Sequence, residues 1–358
     1  MKKILVISSY PAPYRVGVFQ ELDTFYQLDV FFEFIEDQSR SPEWFVRNGN
    51  FHVLNTPEAK EAFAWSLQHL KDYDLVLAYD YNNKNAGKVI RRCIRKAVPY
   101  CINCDGAFIR RNWLKDTVKR FYISHAAACF ASGRFAQEYF LHYGALPGRI
   151  YRHRFTSLKE EDLARKPLSE REKQAKRAEL GLSEKRMVLS IGQFIPRKGF
   201  DVLLEAWKEL DASFQLVLIG GGEQEEDYRK IIEREGLKNV VLKGFLKKDQ
   251  VYACYQMAEL FVLPTREDIW GLVINEAMAC GLPVVSTDHC IAAMELVEEG
   301  EGGFVVPVDD AAALAGAMKR ILSDNAMRIR MGEKNRQAMA DCTIEQIARK
   351  HVEVIEKL

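Results

Sequence analysis

Residues 262–287 read Val262-Leu-Pro-Thr-Arg-Glu-Asp-Ile-Trp-Gly-Leu-Val-Ile-Asn-Glu-Ala-Met-Ala-Cys-Gly-Leu-Pro-Val-Val-Ser-Thr287. An apolar strand runs into an acidic turn containing a glycine. A helix follows, stops at Gly281 with Pro283 just beyond, and gives way to a second apolar strand. The amides of Trp270, Gly271 and Leu272 are expected at the helix N-terminus, where uncompensated N–H groups and the helix dipole favour a bound phosphate. Asp268 and Glu276 flank that terminus, and carboxylates accept hydrogen bonds from sugar hydroxyls. The combination points to a pocket for a nucleotide sugar.

Outward from this stretch, short apolar strands alternate with amphipathic helices, the pattern of parallel sheets covered on both faces. In the first half, strands are expected at Ile4–Ser8, Leu28–Phe34, Leu75–Tyr79, Pro99–Asn103 and Ala127–Ser132, with the clearest helices at Ala86–Arg95, Trp113–Ser124 and Gly133–Tyr143. A polar stretch from Ser157 to Lys185, with a helical-looking run over Ser169–Leu180, is too hydrophilic for a core. Alternation resumes with strands at Met187–Ile191, Gln215–Ile219, Val240–Lys243, Leu260–Leu263, Pro283–Ser286 and Gly303–Val306, and helices at Ala311–Ser323 and Ile344–Lys357. The expectation is an α/β protein of two Rossmann-like domains. Residues 1–160 form the first, acceptor-binding domain, 161–185 a linker, and 186–335 the nucleotide-sugar-binding domain. Residues 336–358 form a C-terminal helix packing back on the first domain. Ligands in such sheets bind outside the carboxyl ends of the strands, and 358 residues suffice for two cores.

Composition is that of an ordinary soluble protein, 48% apolar and 28% charged. No apolar run reaches the roughly 18–20 residues of a spanning helix, and Met-Lys-Lys leads directly into a strand without a signal-peptide pattern. Eight scattered cysteines suggest reduced thiols and a cytoplasmic setting. Cys101-Ile-Asn-Cys104 lacks the second pair that a zinc site wants and reads as buried strand residues. Net charge is +1, yet residues 1–155 hold 22 Lys+Arg against 15 Asp+Glu. The excess lies in residues 84–120, where 11 cations (Lys84, Lys88, Arg91, Arg92, Arg95, Lys96, Arg110, Arg111, Lys115, Lys119, Arg120) face only Asp105 and Asp116. Such concentration implies an anionic surface or partner.

A second signal is Ser190-Ile-Gly-Gln-Phe-Ile-Pro-Arg-Lys-Gly-Phe-Asp-Val-Leu-Leu-Glu-Ala-Trp207. A strand ends at Gly192, a loop carries Arg197 and Lys198, and a helix begins near Asp201. These cations fit either a diphosphate clasp, Arg as a bidentate fork and Lys as a point charge, or a solvated charged turn. A third element, Leu218-Ile-Gly-Gly-Gly-Glu223, lets a ligand approach the backbone or simply turns the chain; it is not a GxGxxG fingerprint.

In this order and spacing the segments resemble glycosyltransferase family 4, retaining nucleotide-sugar-dependent enzymes of the GT-B fold, in which two Rossmann-like domains face each other across a cleft. The likeness is specific over about residues 186–310 and weaker over the N-terminal half. It implies that the family's acidic pair stands at Asp268 and Glu276, with Glu276 on the ribose hydroxyls and Asp268 facing the donor sugar. It further implies that the amides of Ile269, Trp270, Gly271, Leu272 and Val273 cover the diphosphate and sugar. Lys198 matches the lysine that pairs with the diphosphate, Gly192 joins the donor-binding set, and Gly244-Phe-Leu246, with Phe245 and Leu246, occupies the nucleobase segment. Three positions depart from the family. Asp268 is a methylene shorter than the usual Glu, with Glu267 beside it. Gln193 stands where an arginine is usual, leaving Arg197 to supply the cation. Asn103-Cys-Asp-Gly106 replaces the N-domain histidine, making Asp105 the candidate there.

The loop Ser9-Tyr-Pro-Ala-Pro-Tyr-Arg-Val-Gly17 follows the first strand, so Arg15 and Gly17 are candidates to touch donor or acceptor, the bland alternative being a proline-stiffened turn. Asp72-Tyr-Asp74 has the DxD form of a metal site in another fold, but precedes a buried strand and reads as incidental. No metal and no cofactor are expected, and the seven histidines read as lone structural or surface residues. Cations mixed with Trp113, Phe121 and Tyr122 suit an anionic membrane surface, or else an ordinary solvated helix whose aromatics face the sheet; nothing supports a nucleic-acid face. The expected activity is transfer of a sugar from a UDP- or GDP-linked donor to a glycan or lipid-linked acceptor hydroxyl, in bacterial surface polysaccharide synthesis at the inner face of the plasma membrane. The alternatives are a nucleotide-sugar epimerase and an inactive donor-binding partner of a glycosyltransferase.

Overall fold

The computed structural model describes residues 1–36, 44–110, 112–163 and 168–358; Arg111 of the basic cluster and residues 164–167 of the charged stretch lie outside them. The chain forms two compact units, Met1–Lys159 with Cys342–Leu358, and Glu160–Asp341.

The first unit is built on a parallel sheet of strands β1 (Lys3–Ser8), β2 (Gln27–Phe32), β3 (His52–Val53), β4 (Leu75–Tyr79), β5 (Tyr100–Cys104), β6 (Ala128–Ala131) and β7 (Ile150–Arg152). Among the described residues their order is β3-β2-β1-β4-β5-β6-β7. Every residue of β4 and β5 is buried, as expected of central parallel strands covered on both faces. The helices Pro13–Asp23 and Pro57–Gln68 each open on a proline, whose fixed φ suits the first turn and whose missing N–H costs nothing there. The helix Ile344–Ile355 belongs to this unit and lies against Pro13–Asp23. Its His351 is buried, stacked on Phe130 at 3.8 Å between centroids, with Nε2 3.2 Å from the Tyr79 hydroxyl.

The second unit repeats the plan with β8 (Arg186–Ile191), β9 (Phe214–Ile219), β10 (Val240–Lys243), β11 (Ala258–Leu263), β12 (Val284–Thr287) and β13 (Gly303–Val306). Their order is β10-β9-β8-β11-β12-β13, all parallel. Phe194, Phe200, Trp207 and Tyr228 fill the core on one face of this sheet. Residues 161–185, read above as a linker, fall within this unit. Their helix Glu170–Glu179 starts with a capping box between Ser169 and Glu172.

In both sheets the order of strands reverses beside the first strand, between β1 and β4 and between β8 and β11. That is the switch point where an open α/β sheet leaves a crevice for ligands. Strand ends differ from expectation by a residue or two. Strands β3 and β7, two and three residues long, are too short to show a pattern. The helix Asn325–Ala338 is an addition to the sequence reading; few of its residues are buried, and its signal is the Asp324 cap, which accepts the Met327 amide at 2.9 Å. Among the described residues no helix is long and apolar enough to cross a membrane.

Candidate functional site

The loops leaving β8 and β11 flank the second switch point, and hydrogen bonds stitch them together. The Arg197 carbonyl accepts from the Arg266 amide at 2.8 Å and from the Thr265 hydroxyl at 3.0 Å. Arg266 Nη1 donates to the Pro196 carbonyl at 2.6 Å, and Arg197 Nη1 donates to the Glu267 carbonyl at 2.6 Å. Arg266 also grips both carboxylate oxygens of Asp201, at 3.0 and 2.7 Å, and Asp309 at 2.7 Å. Gly199, at φ 66°, lets the loops close: a Cβ there would overlap the Pro264 carbonyl oxygen.

This stitching brings Lys198 and Asp268 into a direct ion pair whose side chains are only 11% and 15% exposed. A shielded ammonium needs an anion nearby to offset its lost hydration. Asp268 supplies it, and is itself held by its amide on the His289 carbonyl at 2.9 Å. The turn continues through Ile269 and Trp270 to Gly271, the N-cap of the helix Leu272–Ala279 at φ 98°. Trp270 is buried and its indole N–H donates to Asn275 Oδ1 at 2.9 Å, fastening the turn to the helix that follows.

Glu276 lies one turn into that helix, where the buried Tyr255 hydroxyl donates to Oε2 at 2.9 Å. Burial first, then the Glu276 charge, push the phenol well above its ordinary range, so it stays a proton donor to the carboxylate. Gly192 follows β8 and packs near the Lys198 stem. Phe245, 64% exposed after β10, lies over Gly221 after β9, where a Cβ would come within 2.9 Å of the ring; Leu246 is half-buried. The side-chain Nε2 of Gln193 is buried with no hydrogen-bond partner among the described residues. It is a donor awaiting an acceptor. Arg197, by contrast, is exposed and joined to the Glu267 carbonyl, so it ties the two loops together while Lys198 supplies the shielded charge.

In the first unit, Arg15 and Asp105 form a buried-side ion pair at the carboxyl end of the sheet. The guanidinium lies 4.3 Å from the Tyr79 ring centroid, and Asn103 Nδ2 donates to Asp105 Oδ1 at 2.7 Å. Burial raises the Asp105 carboxyl, opposed mainly by the Arg15 charge. Arg15 and Gly17 are helical residues of Pro13–Asp23, because Pro13 starts the helix earlier than the loop reading allowed. Gly17 is buried with Ile344 3.1 Å from where its Cβ would stand, a helix-packing position. Two carboxylates absent from the sequence reading stand at the same edge. Asp80, at φ 51°, accepts from the Ser8 hydroxyl at 3.1 Å and the Ser9 amide at 3.0 Å; Glu33 accepts from the Asn85 and Ala86 amides at 2.9 and 3.1 Å. Each acid directly follows an apolar strand, which was the available signal.

Asp74 of the DxD accepts the Lys3 amide at 2.7 Å, a backbone-tying role. All eight cysteines are free thiols, and burial pushes Cys104 up to about 12. Among the described residues no group of three or more His, Cys, Asp or Glu side chains is placed to hold a metal ion.

Residues 172–338 match the family described as glycosyl transferases group 1. The α-D-kanosaminyltransferase of Streptomyces kanamyceticus is 34% identical over 179 residues, 48% of this chain and 46% of that protein. The lipopolysaccharide core biosynthesis glycosyltransferase LpsE of Rhizobium meliloti is 31% identical over 174 residues, 46% of this chain and 50% of that protein. The chain thus spans about half the length of the curated relatives it matches. Across its full length it superposes on the HepE protein of Anabaena, solved in complex with UDP, with a TM-score of 0.80, 20% identity and 100% of both chains covered. The chain has the GT-B fold, and its residues 172–338 are similar to the glycosyl transferases group 1 family.

Proposed function

We propose that the protein is a retaining glycosyltransferase that takes a sugar from a nucleoside diphosphate sugar and passes it to an acceptor hydroxyl. The carrying observation is the shielded Lys198–Asp268 pair at the switch point of β8 and β11, whose acid stands on the turn leading into the helix that carries Glu276. In this reading Glu276, oriented by Tyr255, accepts hydrogen bonds from the ribose hydroxyls. The turn amides of Ile269–Val273 and Lys198 receive the diphosphate. Asp268 faces the sugar and pairs with Lys198. Arg197 and Gly192 shape the phosphate loop; Phe245 and Leu246 flank the base. Departure of the diphosphate is assisted by charge fixed in advance, which costs no reorganisation during the reaction.

The first unit selects the acceptor, with Arg15 and Asp105 as its polar centre and Gly17 supporting them through packing. The acceptor class is a glycan or a lipid-linked sugar, the setting bacterial surface polysaccharide synthesis on the cytoplasmic side of a membrane. LpsE, named for lipopolysaccharide core biosynthesis, supports this setting. Solved complexes of HepE with UDP and with UDP-glucose place uridine donors first in a panel; a mannosyltransferase named as GDP-mannose-dependent keeps guanosine donors in it.

The test is a donor panel read by calorimetry and by nucleoside diphosphate release, with glycan acceptors present. Transfer with the donor's anomeric configuration kept supports the reading. Binding without turnover identifies an inactive partner, epimerised donor identifies an epimerase, and unchanged donor affinity in Lys198→Ala overturns the diphosphate placement.

A further inference from the structure

The helix Trp113–Ser124 buries only Tyr122 and Ile123 and leaves its other apolar side chains outside. Its lone acid, Asp116, points into the fold and accepts from the Tyr143 hydroxyl at 2.9 Å. Lys119 lies beside the same residue, its Nζ 4.7 Å from the Tyr143 ring centroid and 5.2 Å from that of Tyr139. Tyr122 is buried and receives a hydrogen bond from Arg91. Ile123 is buried beside it, but four other apolar side chains point the other way: Trp113 is 79% exposed, Leu114 61%, Val118 48% and Phe121 45%.

At about 100° per residue these four fall in one sector of roughly 140°, with Arg120 bordering one side and Lys115 the other. Ile109, in the segment before the helix, is also exposed. The neighbouring helix Lys84–Lys96 adds exposed Lys84, Lys88, Arg91 and Arg95. Their spacing of i, i+4, i+7 and i+11 makes a single cationic ridge, and the Arg91–Tyr122 hydrogen bond joins that helix to the first.

We infer that the Trp113–Ser124 helix is a membrane-docking element that lies in the interface of an anionic bilayer. Its four apolar side chains enter the acyl boundary, and the Lys84–Arg95 ridge meets the lipid phosphates. An apolar stripe rich in Trp, Phe and Leu between cationic borders is the composition of interfacial helices. Clustered cations beside such a stripe draw it to anionic lipid. A nucleic-acid surface would match the ridge and leave the outward Trp, Leu, Val and Phe without a role. A protein partner is less suited, because the Lys84–Arg95 ridge is a continuous row of exposed cations and interface centres are depleted of charged residues. Proximity to a bilayer would place the enzyme beside lipid-linked acceptors, but the inference stands on the helix and is independent of sugar transfer.

The experiment is flotation of the full chain, without any sugar donor, on phosphatidylcholine vesicles with and without phosphatidylglycerol. Co-flotation with the anionic vesicles alone, reduced by salt, is expected. Trp113→Ser/Phe121→Ser should abolish it, and Lys88→Glu/Arg95→Glu should weaken partitioning about tenfold or more; both pairs are exposed, and an unchanged melting temperature verifies the fold. Equal recovery on neutral and anionic vesicles, no recovery on either, or full recovery of both variants overturns the proposal. So does binding of an RNA that out-competes the anionic vesicles. Because the readout needs no turnover, its failure leaves the glycosyltransferase reading standing, and an inactive enzyme leaves this one standing.

Discussion

The Lys198–Asp268 pair places opposite demands on its two members. Lys198 must stay charged for a diphosphate, and Asp268 must hold the ammonium without blocking its transfer to phosphate. Asp268→Asn removes the charge and should cut diphosphate release about 100-fold or more. Asp268→Glu keeps it and should stay within a few-fold of the wild type in the same assay, because Glu is the residue that the resemblance to glycosyltransferase family 4 implies there. Tyr255→Phe deletes the hydrogen bond to Glu276. With a charged acceptor such a bond is worth about 1.5–3 kcal/mol, so donor Kd by calorimetry should rise roughly 10- to 100-fold with little change in turnover at saturation. The acids proposed for the donor side could be named from sequence because they stand in one continuous stretch of it. Tyr255 could not, since its relation to Glu276 exists only once the helices Lys248–Met257 and Leu272–Ala279 have packed beside each other. Asp80 and Glu33 escaped notice for the same reason: a single carboxylate after a strand has no local partner to mark it.

At the scale of elements, the proposed donor site depends on two loops held at close range. Gly271→Ala would put a methyl group 2.9 Å from Cys290 Sγ, on a backbone at φ 98°. The strain should cost about 1–3 kcal/mol, read as a lower melting temperature with weakened donor binding. Arg266→Ala releases the β11 loop from Pro196 and Asp201 and from Asp309 while leaving Lys198 and Asp268 intact. Donor affinity should fall about tenfold, with Arg266→Lys recovering only part of it because an ammonium cannot reproduce the bidentate grip. The alternation of strands and helices was readable from apolar runs and turn residues. Arg266 looked like one more surface cation, since its value lies in joining its own loop to two distant parts of the chain, Pro196 with Asp201 and Asp309. The helix Trp113–Ser124 had the expected boundaries, but its sequence did not state which face turns outward; Asp116 and Lys119 turn inward because Tyr139 and Tyr143 receive them.

At the scale of the molecule, buried histidines tie stability to pH. Burial chiefly lowers His351 from the ordinary 6.5 to about 4, and burial with the His351 charge holds His153 well below its ordinary value. Their rings are 5.5 Å apart in the first unit. Both are therefore neutral when folded and protonate more readily when unfolded. Their contribution is complete above about pH 6.5 and is lost as pH falls toward 4. For His351 alone the loss is on the order of 3 kcal/mol. The melting transition of the first unit should drop between pH 7 and 5, while His351→Phe should flatten that slope. Two Rossmann-like units were legible from strand periodicity. The histidine cluster was not, because His153 and His351 are almost two hundred positions apart in sequence.

That separation also sets an order of manufacture. Because Cys342–Leu358 completes the first unit after Glu160–Asp341 has intervened, a ribosome finishes all the sequence of the second unit before releasing the last helix of the first. Until then the surfaces of Gly17, Tyr79 and Phe130 that receive Ile344 and His351 have nothing to cover them. A nascent chain should therefore carry a protease-resistant second unit while its amino-terminal portion is still open to chaperones. A stop introduced at codon 342 would fix the protein in that state.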